Sequence, residues 1–276
     1  MCTACDLSFR HDESVRRYLT DERRCRHEPF LTQYRLVRQR DGHVPLDDQA
    51  YRALPHRPLG RASAVEWAIR AESLTALLRS QGLSRGAQRV LDVGAGNGWL
   101  SQRLAGAGHA VVAVDINDDG DDGLLVARRG AHDVALVQAD FDGLPFAPAQ
   151  FDVVVLNASL HYAPDAMRTL ESAYTLLVPG GRLVVMDSPW FEHDADGEAM
   201  VAEQQAHFAR RHGLSSVVRP GLGYLTFRRL QDVAVRLGRV PTFTRSVGPL
   251  GWRLKRFVRQ ARATRPSATF GVWMTQ

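Results

Sequence analysis

Val90-Leu91-Asp92-Val93-Gly94-Ala95-Gly96-Asn97-Gly98-Trp99 is an apolar run that stops at an acid and three alternating glycines, and Val111-Val112-Ala113-Val114-Asp115 is a second apolar run ending in an acid. A strand that empties into such a loop before a helix lets the backbone come close to a ligand, because glycine carries no Cβ and tolerates positive φ. An acid closing the next strand stands where it can accept hydrogen bonds from both hydroxyls of a ribose. Together the two segments read as a nucleoside-cofactor site.

The spacing narrows the cofactor. A dinucleotide loop reads Gly-x-Gly-x-x-Gly, which would require glycine at 99, where Trp99 stands; the third glycine is Gly98 instead. Asp92, two residues before Gly94, would repel a pyrophosphate but suits a cofactor whose amino-acid end carries an ammonium. This pattern resembles motif I of the class I S-adenosylmethionine-dependent methyltransferases. The resemblance implies S-adenosyl-L-methionine as cofactor, with Asp92, Gly94, Ala95, Gly96 and Asn97 in the loop and Asp115 with Ile116 at the ribose.

Later segments extend the likeness. Residues 134–141 read as a third strand ending in Asp140-Phe141, which by the resemblance hold the adenine by its amine and its face. Phe151 to Asn157 reads as a fourth strand, buried on both faces because it is nearly continuous in β-branched residues. Leu176 to Asp187 reads as a helix end, a Pro-Gly-Gly turn and a fifth strand. Val240 to Arg245 and Ala268 to Met274 supply the sixth and seventh, and the family's last strand runs antiparallel between the fifth and sixth. The expected fold is therefore α/β, a seven-stranded Rossmann-like methyltransferase sheet with helices on both faces. The resemblance is strong over residues 65–190 and weaker elsewhere.

At 276 residues the chain can bury one large core plus an appendage. The expected division is an N-terminal extension, helical and loop, over 1–60, and a methyltransferase domain over 61–276 with a lid insertion at 190–239. Residues 13–40 read as helix, Pro45 to Gly60 as loop, Ala62 to Gly82 as a helix leading into the core, Glu198 to His212 as a lid helix and Gly213 to Gly223 as a loop. Trp67 and Arg70 share a face of the leading helix, and Arg70 is a candidate partner for the methionine carboxylate. No run has the apolar length of a membrane span and the first residues lack a signal-peptide pattern, so a cytoplasmic protein without membrane contacts is expected.

The net charge of +5 and the pI near 9.5 invite a nucleic-acid partner. Lys255 is the only lysine, however, and so strong an arginine bias reads as coding composition rather than selection for phosphate contacts. No acid follows Asp232, and within Trp252 to Ala263 apolar residues recur at helical spacing, giving a helix whose arginines form a solvated face. The acidic stretch Asp118 to Gly123 reads as a solvated turn. Cys2, Cys5, Cys25 and His27 have metal-ligating side chains, but the second pair departs from Cys-x-x-Cys and no glycine knuckle accompanies it; no metal is expected.

Methyl transfer from a sulfonium is an in-line displacement, so it demands positioning, with a base only where the nucleophile carries a proton. The family's methyl-side segment corresponds to Asn157-Ala158-Ser159-Leu160-His161-Tyr162, where Asn157 and Ala158 border the cofactor. The Asn/Asp-Pro-Pro-Tyr of amino-group methylases is absent apart from its Asn. All three cysteines precede the cofactor loop, which excludes a covalent pyrimidine adduct. His161, a residue type that titrates near neutrality, and Tyr162 are the candidate catalytic residues, with His193 of the lid as a weaker one. The reading is methyl transfer to an oxygen, nitrogen or activated carbon of a small molecule. An RNA methyltransferase using the basic C-terminal segment is the alternative, followed by a cofactor-binding protein without chemistry.

Overall fold

Strand alternation sends Val153 and Val155 to one side of β5 (Phe151–Asn157) and Val154 and Leu156 to the other, and all four are fully buried. That requires cover on both faces, which the computed structural model provides. It describes Phe9 and residues 14–41, 47–56, 64–80, 83–84, 86–214, 216–251, 253 and 265–276. Trp67, Leu74 and Leu77 of α3 (Ala64–Arg79) and Leu100 and Leu104 of α4 (Trp99–Gly106) pack on the Val153 face. Leu170 and Ala173 of α5 (Ala166–Thr175), with Leu230 and Val233 of α7 (Phe227–Arg236), pack on the other.

The main sheet has the order β1-β4-β3-β2-β5-β6-β10-β9. Its strands are β1 (Arg16–Arg17), β2 (Arg89–Val93), β3 (Ala110–Asp115), β4 (Ala135–Gln138), β5, β6 (Leu177–Met186), β9 (Pro241–Ser246) and β10 (Phe270–Thr275). Pairing is parallel from β1 to β6, whereas β10 runs antiparallel to both β6 and β9. The antiparallel last strand between the fifth and sixth expected strands is thus observed. β7 (Trp190–Phe191) and β8 (Leu225–Thr226) form a separate parallel pair that joins the start of the insertion after β6 to the segment leading into α7. Among the described residues no helix is long and apolar enough to cross a membrane.

Several expectations change. The sheet has eight strands, not seven, because Arg16 and Arg17 pair with Val137 and Gln138 instead of joining the helix expected over 13–40. That helix, α1 (Asp21–Arg40), starts where Thr20 Oγ1 accepts the backbone N–H of Arg23. A short helix, α2 (Asp48–Ala53), stands in the segment expected as loop, capped by Asp47 at 2.6 Å from Ala50 N. The third expected strand ends at Gln138, so Ala139 to Phe141 leave the sheet. Pro179-Gly180-Gly181 loops out inside β6: Phe151 pairs with Leu177 but Val153 pairs with Arg182. The lid helix α6 begins earlier than expected and runs Asp194–His212, ending at Gly213 with φ +64. The helix expected over Trp252 to Ala263 lies, Arg253 apart, outside the described residues.

The acidic stretch is not a solvated turn. Asp118 meets Arg17 at 2.6 Å, Asp119 meets Arg35 at 3.0 Å, and Asp122 takes Arg38 through both oxygens at 2.6 and 3.0 Å. Asp119 Oδ1 also accepts the N–H groups of Asp121, Asp122 and Gly123, which fixes the loop. Three acids clustered after β3 therefore meet arginines spaced along α1 and its approach, and this docks the N-terminal helix across the ends of the central strands.

Candidate cofactor and acceptor site

At the carboxyl ends of β2 and β3, Gly94 N and Ala95 N both donate to Val114 O, at 2.8 and 2.9 Å, and draw the glycine loop over the sheet edge. Gly94, Gly96 and Gly98 have φ of +74, +55 and +72, values that a side chain would strain. A Cβ on Gly94 would fall on the Ser159 side chain, whereas a Cβ on Gly96 would meet nothing within 4 Å. Gly96 is therefore the open point of the loop, and it lines a cleft of about 100 Å³.

Asp115 is built into the loop. Its Oδ2 accepts Gly96 N and its Oδ1 accepts Asn117 N, both at 2.8 Å. Burial pushes its carboxyl up to about 6 against the backbone donors of Asn117, Gly96 and Ile116. A carboxylate offers about four lone-pair positions, so acceptor capacity remains for a hydroxyl donor. The cleft wall continues through Val93, Ile116, Asn117, Ala139, Asp140, Phe141, Ala158, Ser159 and Tyr162. Ala158 sits at φ +51 and donates its N–H to Met186 O, and Ser159 Oγ donates to Val93 O at 2.7 Å.

Other residues read from the sequence stand off the cleft. Asp92 is completely buried beneath the loop, with Oδ2 accepting Ser101 Oγ at 2.7 Å and Oδ1 facing no donor; burial raises its carboxyl to about 7. Ala95 and Asn157 are buried behind the wall, and Asn157 Oδ1 has no partner. Asn97 is turned inward, its side chain accepting Trp99 N and its carbonyl accepting Tyr51 Oη. Arg70 pairs with Glu66 at 2.5 Å and lies 4.5 Å over the Trp67 ring, away from the cleft lining. His193 is exposed at the start of α6. Cys25 is exposed while His27 turns to Asp140, and Cys2 and Cys5 lie outside the described residues.

The roof of the cleft comes from α1, through Phe30, Leu31 and Tyr34. On the same helix, Arg23 Nη1 donates to Asp140 Oδ1 at 2.7 Å and His27 Nε2 lies 3.1 Å from Asp140 Oδ2. Burial pushes the Asp140 carboxyl up, but the His27 hydrogen bond and the Arg23 charge outweigh it and hold it below the usual range. The roof was not singled out from sequence. Its signal was present, since Phe30, Leu31, Tyr34 and Val37 recur at helical spacing in a segment otherwise dominated by charge.

On the acceptor side, Tyr162 packs between Phe30 and Tyr34, with ring centroids 5.6 and 6.4 Å away, and against His161 at 4.2 Å. His161 Nδ1 is 3.1 Å from Ser188 Oγ. Burial, followed by the nearby Arg219 charge, lowers the imidazole to about 3. The expectation of a histidine titrating near neutrality therefore changes: the surroundings of His161 favour its neutral form. Burial raises the Tyr162 phenol. The lid loop covers this segment, with Gly223 N donating to His161 O at 2.9 Å.

Residues 91–185 match the family model described as a methyltransferase domain. The chain is 33% identical over 108 residues to a malonyl-[acyl-carrier protein] O-methyltransferase of Erwinia billingiae, covering 39% of this chain and 41% of that protein. It is 40% identical over 113 residues to a ubiquinone/menaquinone biosynthesis C-methyltransferase of Azotobacter vinelandii, covering 38% and 44%. The chain thus spans less than half the length of these curated relatives. Its fold resembles an S-adenosylmethionine dependent methyltransferase from Mesorhizobium loti, with TM-score 0.53, 19% identity, and 77% of this chain and all of that one covered. Residues 91–185 thus match a methyltransferase domain, on a fold shared with that structure.

Proposed function

We propose that the protein transfers the methyl group of S-adenosylmethionine to an oxygen, nitrogen or activated carbon of a small molecule. The observation that carries this reading is the roofed cleft itself: a glycine loop open only at Gly96, an acid with acceptor capacity left over, and a helix closing the top. Bound there, the cofactor supplies an electrophilic methyl group on a sulfonium. Asp115 accepts the ribose hydroxyls, whose donors favour its ionised form. Ile116, Leu31 and Phe141 offer apolar surface for the adenine, and Asp140 keeps acceptor capacity for its amine beyond Arg23 and His27. The unpartnered Asp92 Oδ1 places negative charge under the loop, which suits the methionine ammonium. Tyr162, fixed by three aromatic neighbours, excludes water and presents the acceptor, and neutral His161 is in the protonation state of a base. The extension over 1–60 is part of this site through α1, and the insertion over 190–239 is its lid.

The RNA reading rests on the segment from Trp252 to Ala263, which lies, Arg253 apart, outside the described residues. Arg236 pairs with Glu171 and Arg265 with Glu203, so these C-terminal cations are already paired. The test is incubation with methyl-labelled S-adenosylmethionine in an extract separated into small-molecule and RNA fractions. Label in the small-molecule fraction is expected, and label confined to RNA contradicts the proposal.

A further inference from the structure

Arg219 belongs to the loop between α6 and β8, and its guanidinium is folded back onto Gly223, where a Cβ would strike Nη1 and Cζ. Gly223 also has φ +84, so the position excludes side chains on two counts. The same residue donates its N–H to His161 O, and a Cβ on neighbouring Gly221 would crowd the carbonyls of His161 and Ala163. The loop is thereby clamped onto the 161–163 segment with the guanidinium at its edge.

Arg219 has little to hold it there. Nη2 donates to Gln204 Oε1 at 2.9 Å, a neutral acceptor, and Nη1 is buried with no acceptor facing it. No acid among the described residues pairs with it. The other cations around Tyr162 are different: Arg38 is taken by Asp122 and Arg70 by Glu66. A half-buried guanidinium with one enclosed N–H group unpartnered and no acid beside it costs free energy that an arriving anion would recover. Partial burial accordingly lowers the pKa of Arg219, and its charge is one of the two causes depressing His161.

We propose that the methyl acceptor carries a carboxylate and that Arg219, clamped beside His161 and Tyr162, receives it. The single uncompensated charge selects a monoanion. A phosphate monoester, with a charge of about −1.5 to −2, would call for a second free cation, and the two nearby candidates are engaged. Guanidinium and carboxylate make charge-assisted hydrogen bonds of the stronger kind, which suits an orienting contact. Neutralising Arg219 removes one of the two influences that hold His161 down, so the acceptor's arrival makes the imidazole a better proton acceptor beside the reacting atom. This inference rests on the methyltransferase reading of the cleft.

The experiment titrates the complex with S-adenosylhomocysteine using benzoate, the neutral isostere benzamide and inorganic phosphate, while following the His161 ring resonances. Benzoate is expected to bind at least tenfold more tightly than benzamide and to shift the His161 titration upward. Arg219→Gln should abolish both effects and Arg219→Lys should retain part of them, with S-adenosylhomocysteine affinity and melting temperature unchanged in each. Equal binding of benzoate and benzamide, or an undiminished preference in Arg219→Gln, overturns the inference while leaving the cofactor reading intact. Tighter binding of phosphate than benzoate overturns the carboxylate assignment. Failure of S-adenosylhomocysteine to bind the wild-type protein overturns the cofactor reading, and this inference with it.

Discussion

The proposed cofactor side and the proposed acceptor side of the site are made by different means. The first is backbone chemistry: Gly94, Ala95, Gly96 and Asn117 bond through their N–H groups to Val114 and Asp115, all within 24 residues of sequence. The second is side-chain chemistry collected from afar: Phe30 and Tyr34 of α1, His161 and Tyr162 after β5, Ser188 after β6, and Arg219 of the lid loop. A site written in backbone geometry fixes residue types at set spacings, and only glycine satisfies some of them. One assembled from side chains of separate segments leaves each segment free to vary, so the same cofactor half can serve many acceptors.

The sharpest way to break this contrast is to place a side chain on the loop. Gly94→Val combines φ +74 with a clash against Ser159, and should cost several kcal/mol, lower the melting temperature by about 10 °C and abolish S-adenosylhomocysteine binding. Gly120→Ala in the acidic loop, where a Cβ meets nothing within 4 Å, is the control and should bind normally. If both variants bind alike in calorimetry, the loop is not the cofactor cradle.

A smaller effect is expected from loosening the roof. Arg38→Gln leaves the buried Asp122 carboxylate without its bidentate partner, and should weaken cofactor binding by roughly tenfold while making α1 easier to cleave by trypsin. Adding Asp122→Asn should restore part of the affinity, and a double-mutant cycle without coupling would detach the roof from the site.

The smallest effect concerns pH. The Asp92 carboxyl is raised to about 7 in the folded chain from an ordinary value near 3.8. A group with a raised folded value supports stability fully below its unfolded value and loses that contribution as pH rises through the folded one. The cofactor-free protein should therefore melt a few degrees lower at pH 8 than at pH 5 on account of this group, and Asp92→Asn should flatten that slope. An unchanged slope would show that Asp92 is already paired in the free protein.

How much of this was legible follows from the same contrast. Asp92, the three glycines, Asp115 and Asp140 could be read because each closes a strand or opens a loop at spacings the parallel sheet imposes. The seven core strands could be read from apolar runs. The strand at Arg16 and Arg17 could not, since two arginines carry no strand signal and pair only because β4 offers a free edge. The acidic loop was misread because its arginine partners stand about 80 to 100 residues earlier, and charge alone does not say which surface will meet it. His161 was found by its place after β5, but its depressed basicity depends on burial and on Arg219, 58 residues away, neither of which local sequence contains.

The central claim is that Asp115, held by Gly96 and Asn117, receives the cofactor's ribose. Calorimetry of S-adenosylhomocysteine with the wild-type protein and with Asp115→Ala tests it directly. Hydrogen bonds to a charged group contribute about 1.5 to 3 kcal/mol each, so the variant should bind on the order of a hundredfold more weakly. Its melting temperature should fall by only a few degrees, because Gly96 N and Asn117 N lose their acceptor while the Gly94 and Ala95 bonds to Val114 O remain. Equal affinity in the two proteins would contradict the account.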